Sequence, residues 1–493
     1  MKRGFSTLEI IISFAILAII LSGVVMADFG AQYWTITSQT SNEALYKSKI
    51  QLENLRAASK RDFLSAVSQS VVRDNDASCS SGSLCYYMES KVIDTSPCSK
   101  YASSTVSWQV YGYPTTTTEL FTTFDDAAGI IARGGDCGLN WPSGNWASPT
   151  LASSANLRSN TSGSDALNGS VYVSEYASPF LEVLKSGSVY SYSSSDSAPF
   201  NSVDVARNLA NGWVYAYVAA SSTQGQLQVI DVTDPTKIFR AGGLVLSGVS
   251  STTPAQELFF YDRKIYLTTL FASGPEFHII DVGDPTNPYE LGSGFSVGMS
   301  AYDIAVREQY VAGIKHKFAY LAVGSSNVKN LLVLDIDDWT TPNHPAITAV
   351  NTCSFASAGQ GAAVYLQGNS LYLGRAGLAK GTPDFFVFDA SDPASSSFCT
   401  PIRSIDVDDS SVSRYVKTIR ASGPYIFIGT TNTSGNQGEI QVRSSDAADN
   451  LKLLGTYAIS SLSDNGMDFD NDANQLYAVT ASSPQVQIIT SSQ

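Results

Sequence analysis

Leu227-Gln228-Val229-Ile230-Asp231-Val232-Thr233-Asp234-Pro235 decides how the larger, C-terminal part of this chain is read, because the stretch comes back. It returns as Phe277-His278-Ile279-Ile280-Asp281-Val282-Gly283-Asp284-Pro285, as Leu332-Val333-Leu334-Asp335-Ile336-Asp337-Asp338, and as Phe386-Val387-Phe388-Asp389-Ala390-Ser391-Asp392-Pro393. The aspartates at 231, 281, 335 and 389 lie 50, 54 and 54 residues apart. Weaker copies keep the phase at Leu181-Glu182-Val183-Leu184, Ile440-Gln441-Val442-Arg443 and Val486-Gln487-Ile488-Ile489. Each copy follows a second apolar, strand-like run: Val171-Tyr172-Val173, Val214-Tyr215-Ala216-Tyr217-Val218, Ile265-Tyr266-Leu267, Ala319-Tyr320-Leu321-Ala322, Leu371-Tyr372-Leu373, Tyr425-Ile426-Phe427-Ile428 and Leu476-Tyr477-Ala478-Val479. Seven such pairs, near the period of one propeller blade, predict an all-β seven-bladed propeller over residues 147–493. The last copy ends at Gln493 without outer strands, while residues 147–168 look like the end of a repeat. The N-terminal edge of the domain is therefore expected to complete the final blade and remove two open sheet edges.

The Val-Ile-Asp-Val-x-Asp-Pro signature resembles the LVIVD repeat, a family of propellers in surface proteins mostly without an assigned activity. Asp231, Asp281, Asp335 and Asp389 could be mistaken for a ring of catalytic acids. Their equivalence points instead to a role in the repeat, a turn or an interblade hydrogen bond.

The N-terminus carries a different signal. Met1-Lys2-Arg3-Gly4 is a basic leader, followed by Phe5-Ser6-Thr7-Leu8-Glu9 and an almost unbroken apolar run from Ile10 to Ala27. At ~1.5 Å rise per residue this run covers most of a bilayer core of ~30 Å if Phe5 to Leu8 also insert. Lys2 and Arg3 hold its start on the cytoplasmic side. A secretory signal would be cleaved after its apolar segment, so the order here is wrong for one. Glu9 is the unusual residue, since an ionisable group in a spanning helix is kept when something pairs with it.

The stretch Gly4-Phe5-Ser6-Thr7-Leu8-Glu9 resembles the processing site of type IV pilins and secretion pseudopilins. The resemblance implies cleavage by a prepilin peptidase after Gly4, methylation of Phe5, and pairing of Glu9 with the freed amine of a neighbouring subunit. Losing Lys2 and Arg3 would take the formal net charge from −14 to −16. Many pilins have a proline near residue 26 that this chain lacks; Gly23 is the residue that could supply flexibility.

From Asp28 to about Val72 the helical pattern is expected to continue. Leu45, Leu52, Leu55, Phe63, Val67 and Val71 form a stripe for docking, with Lys47, Lys49, Glu53, Arg56, Lys60 and Arg61 mostly between them. Residues 76–146 then shift to short β-type runs, Leu84-Cys85-Tyr86-Tyr87-Met88, Val106-Ser107-Trp108-Gln109-Val110-Tyr111 and Glu119-Leu120-Phe121. The expected organisation is a leader over 1–4, a membrane and assembly helix over 5–27, an amphipathic half-helix over 28–75, a small pilin-type sheet over 76–146 and the propeller over 147–493. The whole is α+β in its pilin-like part and all-β beyond.

The six cysteines form no CxxC pair, and in an exported chain they read as disulfides. Cys79, Cys85, Cys98 and Cys137 allow three pairings, among which the sequence does not choose, and should staple the small sheet. Cys353 and Cys399 occupy similar positions in neighbouring blades and could either bridge or remain buried thiols. Acidic residues outnumber basic ones by 44 to 30 without a basic cluster, so no nucleic-acid partner is expected. Three histidines, with no other ligand type near them in sequence, leave little for a His-based metal or triad site.

Two carbonyl-rich readings compete at the end of the chain. Asp464, Asp468, Asp470, Asp472 and Asn474 could wrap a calcium ion, or the run from Asp470 to Asn474 could be a hairpin turn. Without a nucleophile elbow, phosphate loop or paired-acid motif, no enzyme and no cofactor beyond that calcium are expected. The function expected is that of a minor or tip subunit of a type IV pilus-like filament. Its partners would be other pilin subunits through the N-terminal helix, the prepilin peptidase, the inner membrane before assembly, and a surface, glycan or protein bound by the head. It would sit in the membrane first and in an extracellular filament later. The alternatives are a pseudopilin of a secretion or DNA-uptake machine and, third, a propeller enzyme.

Overall fold

The computed structural model describes residues 7–61, 63, 66, 68–73, 85–96, 98–109, 115–126, 142–194, 198–208, 211–271, 274–311, 314–324, 329–337, 347–355, 359–376, 381–408, 414–432, 437–471 and 473–492. The chain divides into two compact units. The first consists of Met1–Ser59, Ala66–Ile93 and Tyr101–Phe124, and the second of Lys60–Ser65, Asp94–Lys100 and Asp125–Gln493.

Helix α1 (Thr7–Arg61) has two chemically distinct halves. In the first, Ile11, Phe14, Ile19, Val24, Met26, Phe29 and Trp34 are all exposed. Within it the helix is long and apolar enough to cross a membrane by length and composition. In the second half Thr40, Ala44, Ser48, Leu52, Leu55 and Ser59 recur every three or four residues and are buried. The sheet it meets runs in the order β1 (Gln69–Arg73), β2 (Tyr86–Ser96), β3 (Ser99–Trp108), β4 (Thr116–Asp125). Ala44 packs with Tyr86, Val106 and Trp108. Ser48 Oγ donates to the Ser104 carbonyl at 3.0 Å, and Tyr86 Oη donates to Glu43 Oε2 at 3.1 Å.

The docking stripe is thus made largely of small residues, which let helix and sheet approach closely. Leu45, expected in it, is exposed. The helix also stops at Arg61 instead of running to Val72; Val71 and Val72 lie in β1, where β-branched side chains suit a pleated strand. Val67 lies outside the described residues.

Among the described residues, seven further four-stranded antiparallel sheets follow, giving a propeller-like body. Their first strands are Thr161–Leu167, Phe200–Arg207, Ala255–Tyr261, Ser300–Val311, Gln360–Gln367, Arg414–Ser422 and Leu462–Asp470. In the seventh sheet the outer strand is β5 (Asn145–Ala155), which pairs antiparallel to Val486–Ser492. Trp146 anchors it, fully buried, edge-on to Phe427 at 5.0 Å and to Phe469 at 5.5 Å. A Cβ on Gly455 would stand 2.3 Å from the Ala147 carbonyl oxygen, so only glycine lets the sixth sheet lie this close to β5.

The quoted repeat is the third strand of its sheet, and the Tyr-bearing run is the second. Tyr172, Tyr217, Tyr266, Tyr320, Tyr372, Phe427 and Tyr477 occupy one equivalent, buried position, each opposite the middle of its sheet's first strand. The apolar core therefore lies between neighbouring sheets, as in the packing of Tyr217, Val229, Leu258, Phe260 and Leu267.

Candidate functional site: acids of the first strands

Opposite those aromatic residues the seven first strands carry Asp165, Asp204, Phe259, Ala305, Tyr365, Arg420 and Asp468. A register shift lies before them in every first strand, for example between Ala255 and Glu257 and between Ala301 and Asp303. Such a bulge re-aims side chains. It adds Glu257 and Asp303, so that five carboxyl groups and one guanidinium lie on strands that neighbour one another.

The first strand is the edge of its sheet, so some of its N–H groups lack a ladder partner. The carboxylates supply one. Asp468 Oδ2 accepts from Ala166 N (3.0 Å), Asp165 Oδ2 from Val205 N (2.6 Å), Asp204 Oδ2 from Phe260 N (2.7 Å) and Asp303 Oδ2 from Val364 N (2.8 Å). Each acid reaches the next sheet in chain order, and the seventh sheet reaches the first. Arg420 Nε donates to Asp468 Oδ1 at 2.8 Å, and its guanidinium lies 5.6 Å over the Tyr365 ring. Glu257 accepts from Ser202 Oγ of the second sheet and from Asn465 Nδ2 of the seventh.

Crowded, buried acids cannot all ionise. Burial, then the Asp204 and Asp468 charges, push Asp165 well above the usual carboxylate range, and it hydrogen-bonds both neighbours. Burial lifts Asp204 and Asp303 to about 6. Burial, followed by the Asp303 charge, lifts Glu257 to about 8. Arg420 goes up despite its burial because Asp468 and Tyr365 lie beside it. The row Asp468, Asp165, Asp204 therefore places between two carboxyls one whose burial and neighbours favour its protonated form. Such an arrangement can donate and accept a proton, or bind hydroxyls.

Of the residues singled out from the sequence, Asp468 lies in this row, and the other described ones lie elsewhere. Gly4, Phe5, Cys79, Cys137 and Asp472 are outside the described residues, as is the side chain of Glu9. Cys85 and Cys98 are disulfide-bonded, with partners also outside them. Cys353 and Cys399 form a disulfide of S–S length 2.10 Å.

Within the suggested calcium run, each described side chain already has protein partners. Asp470 accepts from Gly169 N (2.5 Å) and Ala473 N (2.9 Å), Asn474 accepts from Ser143 N (3.0 Å), and Asp464 pairs with Lys417. Asn474, with φ of 52°, is a hairpin residue. Asp231, Asp281, Asp335 and Asp389 all cap turns, each accepting through Oδ1 from the N–H two residues on, at 2.9, 2.8, 3.0 and 2.9 Å.

Residues 212–242 match the LVIVD repeat family. No curated protein matches the chain. Solved structures similar to it include the Bacteroides ovatus xyloglucan-locus protein GH43B (11% identity, TM-score 0.28, 70% of this chain and 58% of that one). Others are a prolyl endopeptidase (12%, 0.35, 92% and 59%) and an oligogalacturonate lyase in complex with manganese (8%, 0.27, 59% and 96%). The chain thus spans less than two thirds of the length of the first two. At TM-scores of 0.35 and below the likeness carries no argument about what this chain does. It nevertheless corrects one expectation: the neighbours carry enzymes' names, so the lack of a catalytic motif legible in the sequence does not make this protein a non-enzyme.

The acids at Asp204, Glu257 and Asp303 and the cation at Arg420 were missed in the sequence. A usable signal exists: Asp165, Tyr365 and Arg420 each stand seven residues before the second-strand aromatic.

Proposed function

We propose that this protein is a minor or tip subunit of a type IV pilus-like filament, with a closed seven-bladed propeller as its head, and that the head binds a surface, glycan or protein. The observation that carries the reading is the split in α1: an apolar half with no part of its spanning window buried, and a half docked on its own sheet. An exposed apolar helix needs a bilayer or copies of itself around it. Gly4, Phe5 and Glu9 are the residues proposed for cleavage, methylation and subunit pairing. A disulfide between Cys353 and Cys399 fits an oxidising compartment outside the cytoplasm. Ring closure is supported by β5 completing the seventh sheet and by the Asp468 link to the first.

Mass spectrometry of the protein from sheared filaments should find a mature chain beginning at methylated Phe5, and Glu9→Ala should be missing from the sheared fraction. A chain that keeps Met1 and stays with the cell membrane would refute the filament reading. Recovery of a processed chain only from the envelope would instead point to a pseudopilus.

A second reading has its own observation. Asp165, pushed up by burial and held between Asp204 and Asp468, the latter paired with Arg420, is equipped for acid–base work on a bound polymer. If so, Asp204→Asn and Asp468→Asn should each lower hydrolysis or elimination of acidic and neutral glycans by roughly 100-fold or more. Turnover unchanged in both variants, or absent from the unaltered protein across the panel, would remove this reading.

A further inference from the structure

The hairpin of the fourth sheet breaks the repeat. In the third, fifth, sixth and seventh sheets the first and second strands pair for only two residues beyond the aromatic position, ending at Tyr261↔Lys264, Gln367↔Ser370, Ser422↔Tyr425 and Asp470↔Gln475. In the fourth, pairing goes on through Glu308↔Lys317, Gln309↔His316, Tyr310↔Lys315 and Val311↔Ile314. Features common to all sheets serve the fold. These four extra rungs occur in one sheet and are not needed to build a blade.

The extra rungs form one wall of a cavity of about 340 Å³, whose other walls come from Lys264, Tyr266 and Ile279 of the third sheet and from Ile336 and Asp337. That volume suits a monosaccharide-sized guest. Three lysines face it, in a chain whose formal charge is −14. Glu308 orients two of them, pairing with Lys315 at 2.7 Å and Lys317 at 3.2 Å. Asp262 lies 4.0 Å from Lys317. His316 Nδ1 lies 2.6 Å from Asp337 Oδ2 and 3.6 Å from Asp335 Oδ2. The Lys264 side chain makes no ion pair or hydrogen bond among the described residues, while its backbone pairs with Tyr261 and Asp281. Burial, then the charge of Lys317, hold its ammonium below the usual lysine range, against the opposing charges of Asp262 and Asp281. Lys264 and Lys317 thus bring two ammonium groups to a half-closed cavity whose lining acids are Glu308 and Asp337, and Glu308 is already paired with Lys315 and Lys317.

We infer that this cleft between the third and fourth sheets binds a compact oxyanion, the carboxylate of an acidic sugar or a phosphate group, with Lys264 and Lys317 as its charge partners and Tyr266, Ile279 and Ile336 against its apolar face. Lysine suits such a guest as a point charge that does not demand bidentate geometry. This inference does not rest on the filament reading, and the cleft shares no lining residue with the row of Asp165, Asp204, Glu257, Asp303, Arg420 and Asp468.

The test is calorimetric titration of the detergent-solubilised full chain, at fixed ionic strength, with glucuronate, inorganic phosphate and neutral glucose. Glucuronate should bind, glucose should bind at least about tenfold more weakly, and Lys264→Gln or Lys317→Met should weaken glucuronate by about tenfold or more. Lys264→Arg, which keeps the charge, should stay within about threefold. Phosphate bound in place of glucuronate, with the same lysine dependence, would support the site and name phosphate as its guest. Thermal melting of each variant separates loss of binding from loss of fold. Binding equal in the unaltered protein and a correctly folded Lys264→Gln/Lys317→Met double variant, or no binding of either anion, would overturn the inference.

Discussion

Two sets of acids in the propeller-like body have the same chemistry and opposite circumstances. Asp231, Asp281, Asp335 and Asp389 recur in phase at the ends of third strands, and each bonds an N–H two residues away in its own turn. Asp165, Asp204, Glu257, Asp303 and Asp468 sit on first strands, and four of them bond an N–H in the next sheet. The first set is local, so each member is independent of the others. The second is shared and crowded, so its members compete for protons and lean on one cation. The contrast teaches that recurrence marks a structural duty, while crowding of unlike positions creates reactivity.

Three measurements would break or sharpen that contrast. The largest effect is expected from Arg420→Met, which leaves Asp468 buried without its counter-charge. It should destabilise the head by about 3 to 5 kcal/mol at neutral pH in urea unfolding. A loss under about 1 kcal/mol would show that the acids do not depend on this guanidinium.

Next comes pH. Burial raises Glu257 from the usual 4.5 to about 8 and Asp204 and Asp303 from 3.8 to about 6. Asp384, at about 7, and Glu175, at about 9, add in the same direction. The folded chain then holds protons that the unfolded chain has released. This contribution to stability is complete below about pH 4 and drains away as pH climbs through about 6, 7, 8 and 9. Glu257→Gln should flatten the upper part of that decline. A head more stable at pH 8 than at pH 5 would contradict the crowded-acid picture.

The smallest effect belongs to the repeat set. Asp281→Ala removes one turn cap and should lower stability by about 0.5 to 1 kcal/mol, with the pH profile unchanged. Asp165→Asn, which mimics the protonated acid, should also stay within about 1 kcal/mol. A pH-dependent loss in Asp281→Ala would erase the distinction between the two sets.

Much of the body was legible because its signals are local and repeated. Apolar second and third strands, aspartate caps at their ends and a fixed period do not depend on distant residues. The outer strand of the seventh sheet was foreshadowed in residues 147–168, which read as the end of a repeat, and β5 supplies it, with Trp146 buried against Phe427. The helix end was misread because leucine and valine spacing alone does not say where docking stops. Ala44 and Ser48, poor markers of an apolar stripe, are what the sheet covers.

By itself, the sequence determined a spanning-length apolar helix, a repeat of strand pairs, and aspartates that turn the chain, since each follows from a few neighbouring residues and their contact with water or lipid. Only tertiary structure decided that Asp165 lies between Asp204 and Asp468, and that Lys264 faces Lys317 across a cleft. Those charges are tens to hundreds of residues apart in the chain, and their protonation depends on separations and burial that exist only once the sheets have come together.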